Sequence, residues 1–282
     1  MRVVRRADEM TRLATISHRR GRTIGLVPTM GALHDGHLSL IRAAHHQTDV
    51  VVVSIFVNPL QFGPREDYRH YPRPLARDLA LARRAGCDVA FVPSVRELYP
   101  QEFSTSVEVE GLSRRWEGAI RPGHFRGVAT IVAKLLNLVQ PTVAYVGQKD
   151  YQQALVIQRL VRDLEMPIRI RVLPIVREPN GLAMSSRNAS LTSRQRRQVP
   201  VLYEALCLAR RHIRAGERSA SRLRALMRNL IRHESSVRID YLAVVDARTL
   251  EPVSHAAGRL AILGAIRMGS TRLIDNVLVD VP

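Results

Sequence analysis

TIGLVPTMGALHDGHLSLIRAAHHQ occupies residues 23–47 and joins a strand-like segment to a helix-like one. Thr23–Val27 has the apolar character of a short buried strand, and a helical spacing of apolar residues begins at Leu38. Between them, Pro28–His37 holds two glycines, two histidines and an aspartate. At a strand-to-helix turn, backbone N–H groups and the positive end of the helix dipole point outward together, which suits a phosphate. The stretch therefore predicts a phosphate-binding turn.

The same order of strand and helix continues over the first 175 residues. Short runs rich in Val and Ile predict buried strands, and helical periodicity predicts the helices between them. The predicted strands are Thr23–Val27, Asp49–Val57, Asp88–Val92 and Thr142–Val146, and the predicted helices are Leu38–Gln47, Pro74–Ala85, Gly127–Leu138 and Tyr151–Leu164. This alternation is typical of an α/β protein with a doubly wound, Rossmann-like parallel sheet. Ser104–Glu110 alternates polar and apolar residues and predicts a further, peripheral strand.

A second, smaller α+β domain is expected after about Val176, where the pattern changes. Two long amphipathic helices are predicted first, followed by three antiparallel strands. These segments are Ser193–Ala215, Ser219–His233, Ile239–Val245, Ala261–Arg267 and Thr271–Val279. The predicted domains are therefore residues 1–175 and residues 176–282.

Length and composition indicate a folded globular protein. The chain has 282 residues, 46% of them hydrophobic, which suffices for one large or two modest domains with buried cores. Its apolar stretches, such as Val50–Val57, are far shorter than the roughly 20 residues a bilayer requires. Met1–Arg22 carries seven arginines and no continuous apolar core, unlike an export signal. We therefore expect a cytoplasmic protein with no membrane partner. Cys87 and Cys207 lack metal-ligand or redox spacing, so buried thiols are expected.

The net charge of +18 raises the question of a nucleic-acid partner. Residues 1–175 and residues 176–282 carry +9 each, so the charge is not concentrated in one block. One Trp and five Phe also offer few stacking platforms for RNA. The distribution favours solvated basic faces and predicts no nucleic-acid partner, with a basic RNA-binding module as the alternative from a different class.

Arginine supplies 41 of the 43 basic side chains, which leaves Lys134 and Lys149 as the two lysines. The compact, mobile ammonium of lysine differs from the rigid planar guanidinium of arginine, so a retained lysine can mark a functional position. Lys134 lies inside a helical pattern, where chance retention is an equal alternative. Lys149 lies in the loop VGQKD, residues 146–150, directly after a predicted strand, and is the stronger candidate.

Three loops carry groups that suit chemistry on a nucleotide. His34 and His37 form an H-x-G-H motif at the start of the predicted helix, where both can donate hydrogen bonds to phosphate. A zinc site would need further ligands that this motif does not supply. AMSSR, residues 183–187, adds two hydroxyls and a guanidinium. With Lys149, these groups suit the charge that develops when the α-phosphate of ATP is attacked and pyrophosphate leaves. The chain has no G-x-x-x-x-G-K-S/T loop, which disfavours γ-phosphoryl transfer.

Five motifs together resemble the pantoate–β-alanine ligase family. They are PTMGALHDGH, FVNPLQFGPREDYRHYPR, RPGHFRGVATIVAKLLNLVQP, GQKDYQQ and VREPNGLAMSSRN. The H-x-G-H motif is shared with the wider nucleotidylyltransferase and class I aminoacyl-tRNA synthetase superfamily. The resemblance covers nearly the whole predicted first domain and the linker, and the stretch after Leu191 contributes little to it. It implies an AMP-forming ligase that uses ATP and Mg²⁺ to condense (R)-pantoate with β-alanine through a pantoyl adenylate. It also implies a homodimer and a C-terminal domain that acts as a lid.

The resemblance also implies roles for individual residues. His37, His34 and Lys149 would be catalytic. Pantoate would be bound by Gln61 and Gln153, with Asn58 and His124 as second-rank candidates. Asp78 and Asp150 are candidate magnesium ligands that the sequence cannot assign. ATP would be bound by Met30, Gly31, Ala32, Leu33, His34, Asp35, Gly36, His37, Gly147, Gln148, Lys149, Asp150, Val176, Met184, Ser185, Ser186 and Arg187.

For several of these residues, a purely structural role is the alternative. Gln153 belongs to a Gln-Gln pair and could face solvent, while Asn58 could simply cap a turn after a strand. Val146 stands where the family pattern often has an aromatic residue, a change that removes no polar group. The alternative enzyme is an adenylyltransferase that joins a nucleotide to ATP, which would need a second phosphate site. The amides near Gln61 instead suggest a neutral polar pocket suited to a hydroxy acid.

Overall fold

The computed structural model describes residues 1–63 and 68–281. Pro64–Asp67, part of the second family motif, lie outside the described residues. The chain forms two compact units. Unit 1 consists of Met1–Gly147 with Gln152–Pro174, and unit 2 of Gln148–Tyr151 with Ile175–Pro282.

Unit 1 is a six-stranded parallel sheet flanked by helices, which confirms the predicted fold class. The strand order is β1-β4-β3-β2-β5-β6. The strands are β1 Arg2–Val4, β2 Ile24–Thr29, β3 Val50–Ile55, β4 Val89–Phe91, β5 Val143–Gly147 and β6 Arg169–Leu173. The helices are α1 Ala7–Arg19, α2 Asp35–Gln47, α3 Leu75–Arg84, α4 Val95–Leu98, α5 Glu117–Ile120, α6 His124–Val139 and α7 Tyr151–Asp163.

The strand order places two candidate motifs at the topological switch point of the sheet. From β2 the chain first adds β3 and β4 on one side, and it later adds β5 on the other side of β2. β2 pairs with β5 through Gly25 to Val143 and Leu26 to Ala144. The H-x-G-H turn follows β2, and Gly147 ends β5. Ligands of doubly wound sheets bind outside the carboxyl ends of the strands at such a point.

The central strands are buried because helices cover both faces of the sheet. Val51, Val52 and Val53 of β3 are at most 1% exposed, which explains why this strand reads as a continuous apolar run. Ile41 and Ala44 of α2 are fully buried in the same core. The core therefore fixes α2 and, with it, the turn that precedes the helix.

Unit 2 contains three helices and a three-stranded antiparallel sheet in the order β7-β8-β9, as the sequence predicts for a smaller α+β domain. The helices are α8 Ser193–Gln198, α9 Val201–Arg214 and α10 Ala220–Arg232, and the strands are β7 Val237–Asp246, β8 Gly258–Met268 and β9 Thr271–Val281. Apolar side chains of α9 and α10, including Leu206, Leu223 and Met227, pack on the sheet and are fully buried.

Two sequence expectations for individual elements are wrong. Ser104–Glu110 is not a strand, because its backbone bonds to a side chain of α6: the Val107 N–H donates to Oγ1 of Thr130 at 2.9 Å. The single helix expected over Ser193–Ala215 is two helices, α8 and α9. Pro200 lies at the break, where it has no N–H to continue the hydrogen-bond ladder.

Other expectations concern the membrane and the thiols. Across the residues that the structure describes, no helix combines the length and apolar character needed to span a bilayer. Both cysteines are free, Cys87 buried and Cys207 half-buried. Burial raises the pKa of the Cys87 thiol to about 12.

Candidate active site

The turn after β2 contains two consecutive residues with positive φ values. Gly31 and Ala32 have φ values of +81° and +50°, and the second is uncommon for a residue with a side chain. The carboxylate of Asp78, on α3, accepts the N–H of Ala32 through Oδ2 and that of Leu33 through Oδ1, each at 2.8 Å. A Cβ on Gly31 would lie 2.9 Å from Oδ2 of Asp78. Glycine and a buried carboxylate together fix the turn.

These contacts determine which backbone donors remain for a phosphate. Thr29 Oγ1 accepts the N–H of Gly31 at 3.1 Å, so three consecutive N–H groups of the turn bond within the protein. Asp35 and Gly36 occupy the first two positions of α2, where helix geometry supplies no acceptor for the N–H. The phosphate-facing donors are therefore expected in the first turn of α2 and not in Gly31–Leu33.

The two histidines of the motif lie together at the N-terminus of α2. Their ring centroids are 4.1 Å apart. His34 is the residue before the helix, and its backbone N–H approaches Nδ1 of His37 at 3.4 Å. Because Nδ1 is the acceptor in this contact, the neutral ring of His37 carries its proton on Nε2. In this tautomer Nε2 is the donor nitrogen of the His37 ring.

The amides of Asn58 and Gln61 lie together and are buried. Asn58 precedes and Gln61 ends a short 3-10 helix at Pro59–Gln61, and the two residues are 1% and 8% exposed. Asn58 Nδ2 donates to Oε1 of Gln61 at 3.1 Å. Gln61 Nε2 in turn lies 3.1 Å from Sδ of Met30, at the start of the phosphate turn. The amide cluster therefore contacts the H-x-G-H segment directly. Asn58 also caps this short helix, as its alternative role proposed.

His124, the first residue of α6, contacts the 3-10 helix at Pro59–Gln61. His124 Nδ1 lies 2.8 Å from the carbonyl oxygen of Gln61, and Arg121 Nη1 lies 3.1 Å from His124 Nε2. Since a carbonyl only accepts and a guanidinium only donates, His124 is neutral with its proton on Nδ1. A Cβ on Gly127 would lie 2.2 Å from the Leu60 carbonyl oxygen, so glycine permits this close packing. His124 thus positions Gln61 through Nδ1, and Arg121 contacts its other ring nitrogen.

The Gln-Gln pair of α7 divides into one structural residue and one candidate. Gln152 is buried; its Nε2 donates to the carbonyl oxygens of Leu112 and Arg115, and its Oε1 accepts the N–H of Glu117. Gln153 is half-buried. Because Gln152 already has structural partners, Gln153 is the member of the pair that remains for a substrate.

In unit 2, Asn276 of β9 binds the backbone carbonyl groups of Gln148 and Lys149. Asn276 Nδ2 donates to the carbonyl oxygens of Gln148 at 3.0 Å and Lys149 at 3.1 Å. Its Oδ1 accepts from Nε2 of Gln148 at 3.1 Å. The side chain of Lys149 is only 17% exposed, and its ammonium lies 3.6 Å from Oδ1 of Asp150. Lys149 therefore extends from a fixed backbone.

The AMSSR segment is tied to the Val176–Glu178 segment by backbone and side-chain hydrogen bonds. The Met184 N–H donates to the Val176 carbonyl oxygen at 3.0 Å. Ser185 Oγ accepts the Arg187 N–H at 3.2 Å and caps the 3-10 helix at Ser186–Ser190. Asn188 Nδ2 donates to Oε1 of Glu178 at 3.1 Å and to the Ala183 carbonyl oxygen. Two hydroxyls and an exposed guanidinium are thereby presented on an ordered loop.

A buried ion pair supports this part of unit 2. Arg177 donates to both oxygens of Asp275, at 2.6 and 2.9 Å, and its guanidinium stacks 3.6 Å above the ring centre of Tyr203. Burial raises the pKa of the Asp275 carboxyl, and the adjacent guanidinium opposes that rise. The N–H of Asn276 also donates to Asp275 at 2.7 Å. The ion pair therefore orders the residue that holds the Lys149 backbone.

Sequence reasoning missed the positioning role of three residues because they lie far along the chain from the groups that they hold; one of them, Asp78, was considered only as a magnesium ligand. Asp78 is 46 residues from Ala32, and Asn276 is 127 residues from Lys149. Tyr99, whose hydroxyl donates to Oδ1 of Asn58 at 2.8 Å, is 41 residues from its partner. Asp78 and Asn276 are polar residues on buried helix or strand faces, which is the pattern that could have indicated them.

The chain resembles pantothenate synthetases throughout. Residues 2–278 match the profile of the Pantoate-beta-alanine ligase family. A pantothenate synthetase of Moorella thermoacetica is 57% identical over 265 residues, 94% of each chain. The crystal structure of pantothenate synthetase from Thermus thermophilus has a TM-score of 0.93 at 47% identity, covering 98% of this chain and 99% of that one.

A further solved structure carries ligands. Pantoate-beta-alanine ligase from Francisella tularensis, complexed with beta-gamma ATP and beta-alanine, has a TM-score of 0.78 at 34% identity and covers 99% of this chain and 97% of its own. With a family match that spans nearly every residue and a relative above 50% identity, the chain belongs to the pantoate–β-alanine ligase family.

Proposed function

We propose that this chain joins (R)-pantoate to β-alanine with ATP, releasing AMP, pyrophosphate and pantothenate. The contact between Gln61 and Met30, 3.1 Å from Nε2 to Sδ, carries the proposal. It sets two buried, neutral amides against a turn suited to phosphate. A hydroxy acid bound at these amides would have its carboxylate beside the α-phosphate. An adenylyltransferase would instead need cationic groups there for a second phosphate.

The reaction has two steps. A carboxylate oxygen of pantoate attacks the α-phosphorus, a new P–O bond forms, and the bond to pyrophosphate breaks to give pantoyl adenylate. The amine of β-alanine then attacks the acyl carbon, loses a proton, and displaces AMP, which leaves with the electrons of the C–O bond. Both steps concentrate negative charge on phosphate oxygens, so fixed donors around the α-phosphate lower the barrier.

His37, His34 and Lys149 would supply those donors. His37 carries its proton on Nε2, as derived from the contact at Nδ1, and would donate to a phosphate oxygen. The N–H groups of Asp35 and Gly36 at the start of α2 would add to it. Lys149 would place a positive charge on the departing pyrophosphate. Its fixed backbone means that little ordering is required when ATP binds.

The remaining nucleotide contacts follow the family pattern. Met30–His37 and Gly147–Asp150 would bind the phosphates and adenosine, and Met184–Arg187 would bind the triphosphate. The Val176 carbonyl oxygen already accepts the Met184 N–H, so its contact with adenine would use the N–H of Val176. Gln61 and Gln153 would hold pantoate. Asn58 and His124 would contribute by holding Gln61.

Magnesium binding is a further part of the proposal. The described residues contain no group of three or more His, Cys, Asp or Glu side chains that could hold a metal ion. Both oxygens of Asp78 accept N–H groups, whereas Asp150 is 48% exposed. This donor set fits a Mg²⁺ held mainly by phosphate and water oxygens, with Asp150 as a protein ligand. Bound there, the ion would offset phosphate charge.

We also propose a cytoplasmic homodimer. Residues 1–175 would bind ATP and pantoate, and residues 176–282 would form the smaller lid domain.

Product analysis tests the function. Purified protein is incubated with ATP and Mg²⁺, with and without (R)-pantoate and β-alanine. We expect AMP, pyrophosphate and pantothenate in equal amounts when both acids are present, and no pantothenate when either is left out. ADP as product, or pyrophosphate release that requires a nucleotide acceptor in place of pantoate, would contradict the proposal.

A further inference from the structure

The orientation of the Asn58 side-chain amide is fixed by partners whose roles cannot change. Its Oδ1 accepts the backbone N–H of Leu60 at 3.3 Å, and a backbone N–H can only donate. Its Nδ2 lies 3.1 Å from the carbonyl oxygen of Gly127, which can only accept. If the amide oxygen and nitrogen of Asn58 were exchanged, the NH₂ group would face the N–H of Leu60 and the oxygen would face the carbonyl oxygen of Gly127.

The fixed orientation of Asn58 determines that of Gln61. The atom of Gln61 that faces Asn58 Nδ2, at 3.1 Å, must be an acceptor and is therefore Oε1. The NH₂ group of Gln61 then points the other way, to Sδ of Met30. A thioether sulfur is a weak acceptor, so this buried NH₂ group has hydrogen-bonding capacity left for a stronger one.

Tyr99 completes this chain of hydrogen bonds at its far end. Its hydroxyl donates to Oδ1 of Asn58 at 2.8 Å, a shorter contact than the one from Leu60. Burial raises the pKa of the Tyr99 phenol, which keeps the hydroxyl protonated as a donor. The centroid of its ring lies 4.9 Å from that of Phe103 and 6.0 Å from that of Phe56. The Lys134 ammonium lies over the rings of Tyr99 and Phe103. The aromatic contacts hold the hydroxyl in place.

We propose that Asn58, oriented by Leu60 and Gly127, makes Gln61 present its NH₂ group and not its carbonyl oxygen to the acid substrate, and that Tyr99 is a positioning residue whose hydroxyl holds the Asn58 amide at the distance this contact requires. Gln61 then selects an acid that offers an acceptor oxygen at this position. This inference rests on the proposed function, because it assigns the polarity of the pantoate pocket.

Tyr99→Phe tests the role directly, because it removes one hydroxyl and keeps the ring contacts. We expect the KM for pantoate to rise about tenfold, while the KM for ATP changes less than twofold. Tyr145→Phe is the matched control. Tyr145 is a buried tyrosine of the same unit whose hydroxyl also donates to an amide oxygen, Oε1 of Gln47 at 3.1 Å, away from the pocket. It should leave both constants unchanged, even if the melting temperature falls.

A double-mutant cycle separates positioning from a general structural effect. In a Gln61→Ala background, Tyr99→Phe should no longer change the pantoate KM, because the group it orients is gone. An unchanged pantoate KM in the single variant, or an equal effect in both backgrounds, would overturn the inference. The wild type and Tyr145→Phe are measured first. If their activity did not depend on pantoate, the proposed function itself would be contradicted, and not the role of Tyr99.

Asn58→Asp provides a second test should Tyr99→Phe prove unstable. It places an oxygen opposite both the Gly127 carbonyl and Oε1 of Gln61. We expect a larger rise in the pantoate KM than for Tyr99→Phe, with ATP binding in the absence of pantoate unchanged. An Asn58→Asp variant that is folded and has a normal pantoate KM would refute the assigned orientation of Gln61.

Discussion

Lys149 shows at the scale of one residue how composition and geometry indicate a function together. The chain uses arginine at 41 of its 43 basic positions, yet a lysine stands in the loop after β5. Asn276 holds the backbone of this loop through the carbonyl oxygens of Gln148 and Lys149. Because the Cα position is fixed in this way, the length and shape of the Lys149 side chain determine where its ammonium lies. A planar guanidinium distributes its charge differently and has a longer reach.

Lys149→Arg should therefore lower the rate of adenylate formation at least 100-fold while the melting temperature stays within a few degrees. The charge is retained, so the loss would reflect position and shape. The rate is measured as pyrophosphate released in a single turnover with pantoate and ATP. Arg159→Lys is the matched control, since it also exchanges one basic side chain for the other, at a surface ion pair with Asp163, and its rate should be unchanged. A near-normal rate for Lys149→Arg would contradict the requirement for the shape and position of a lysine ammonium at this point.

At the scale of the element, the strand–turn–helix unit shows how much the sequence predicts. The pattern of residues 23–47 predicted β2, α2 and a turn between them, and all three are present. It did not predict which N–H groups the turn uses internally, because the acceptor is Asp78, on another helix. Local patterns specify elements, whereas partners distant in sequence are specified by tertiary packing. The same limit applies to Ser104–Glu110: its alternation of polar and apolar residues predicts a strand, whereas its observed backbone contact, from Val107, is with a side chain of α6.

Asp78→Asn tests the turn, because it replaces one acceptor oxygen with an NH₂ group that opposes a backbone N–H. We expect a loss of about 1–3 kcal/mol in the free energy of unfolding and a rise in the KM for ATP of about tenfold or more. Urea unfolding and steady-state kinetics give the two quantities.

Asp88→Asn is the comparison variant, since Asp88 also accepts a backbone N–H, that of Val51 at 2.9 Å, but away from the turn. It should lower stability and leave the KM for ATP unchanged. Equal effects of the two variants on the KM for ATP would show that Asp78 has no specific role in the turn.

At the scale of the whole molecule, the net charge of +18 is the property that the proposed function does not require. Many basic side chains form exposed ion pairs, such as Arg12 with Asp8 and Arg159 with Asp163. Such pairs contribute little to stability individually. The charge is shared equally by the two segments, so no strongly concentrated phosphate-binding surface is expected.

Electrophoretic mobility of a labelled RNA at increasing salt concentrations checks this expectation. Weak binding at low salt should disappear by about 0.2 M, because nonspecific contacts to phosphate are lost as counterions compete. Binding in the nanomolar range at that salt concentration would revive the RNA-binding alternative.

The central claim is that the chain activates pantoate as an acyl adenylate. Exchange of labelled pyrophosphate into ATP, with Mg²⁺ and without β-alanine, tests it most directly because exchange requires a reversible first step. We predict exchange that depends on (R)-pantoate and falls to background without it. Absence of exchange with pantoate, in folded protein that binds ATP, would contradict the account.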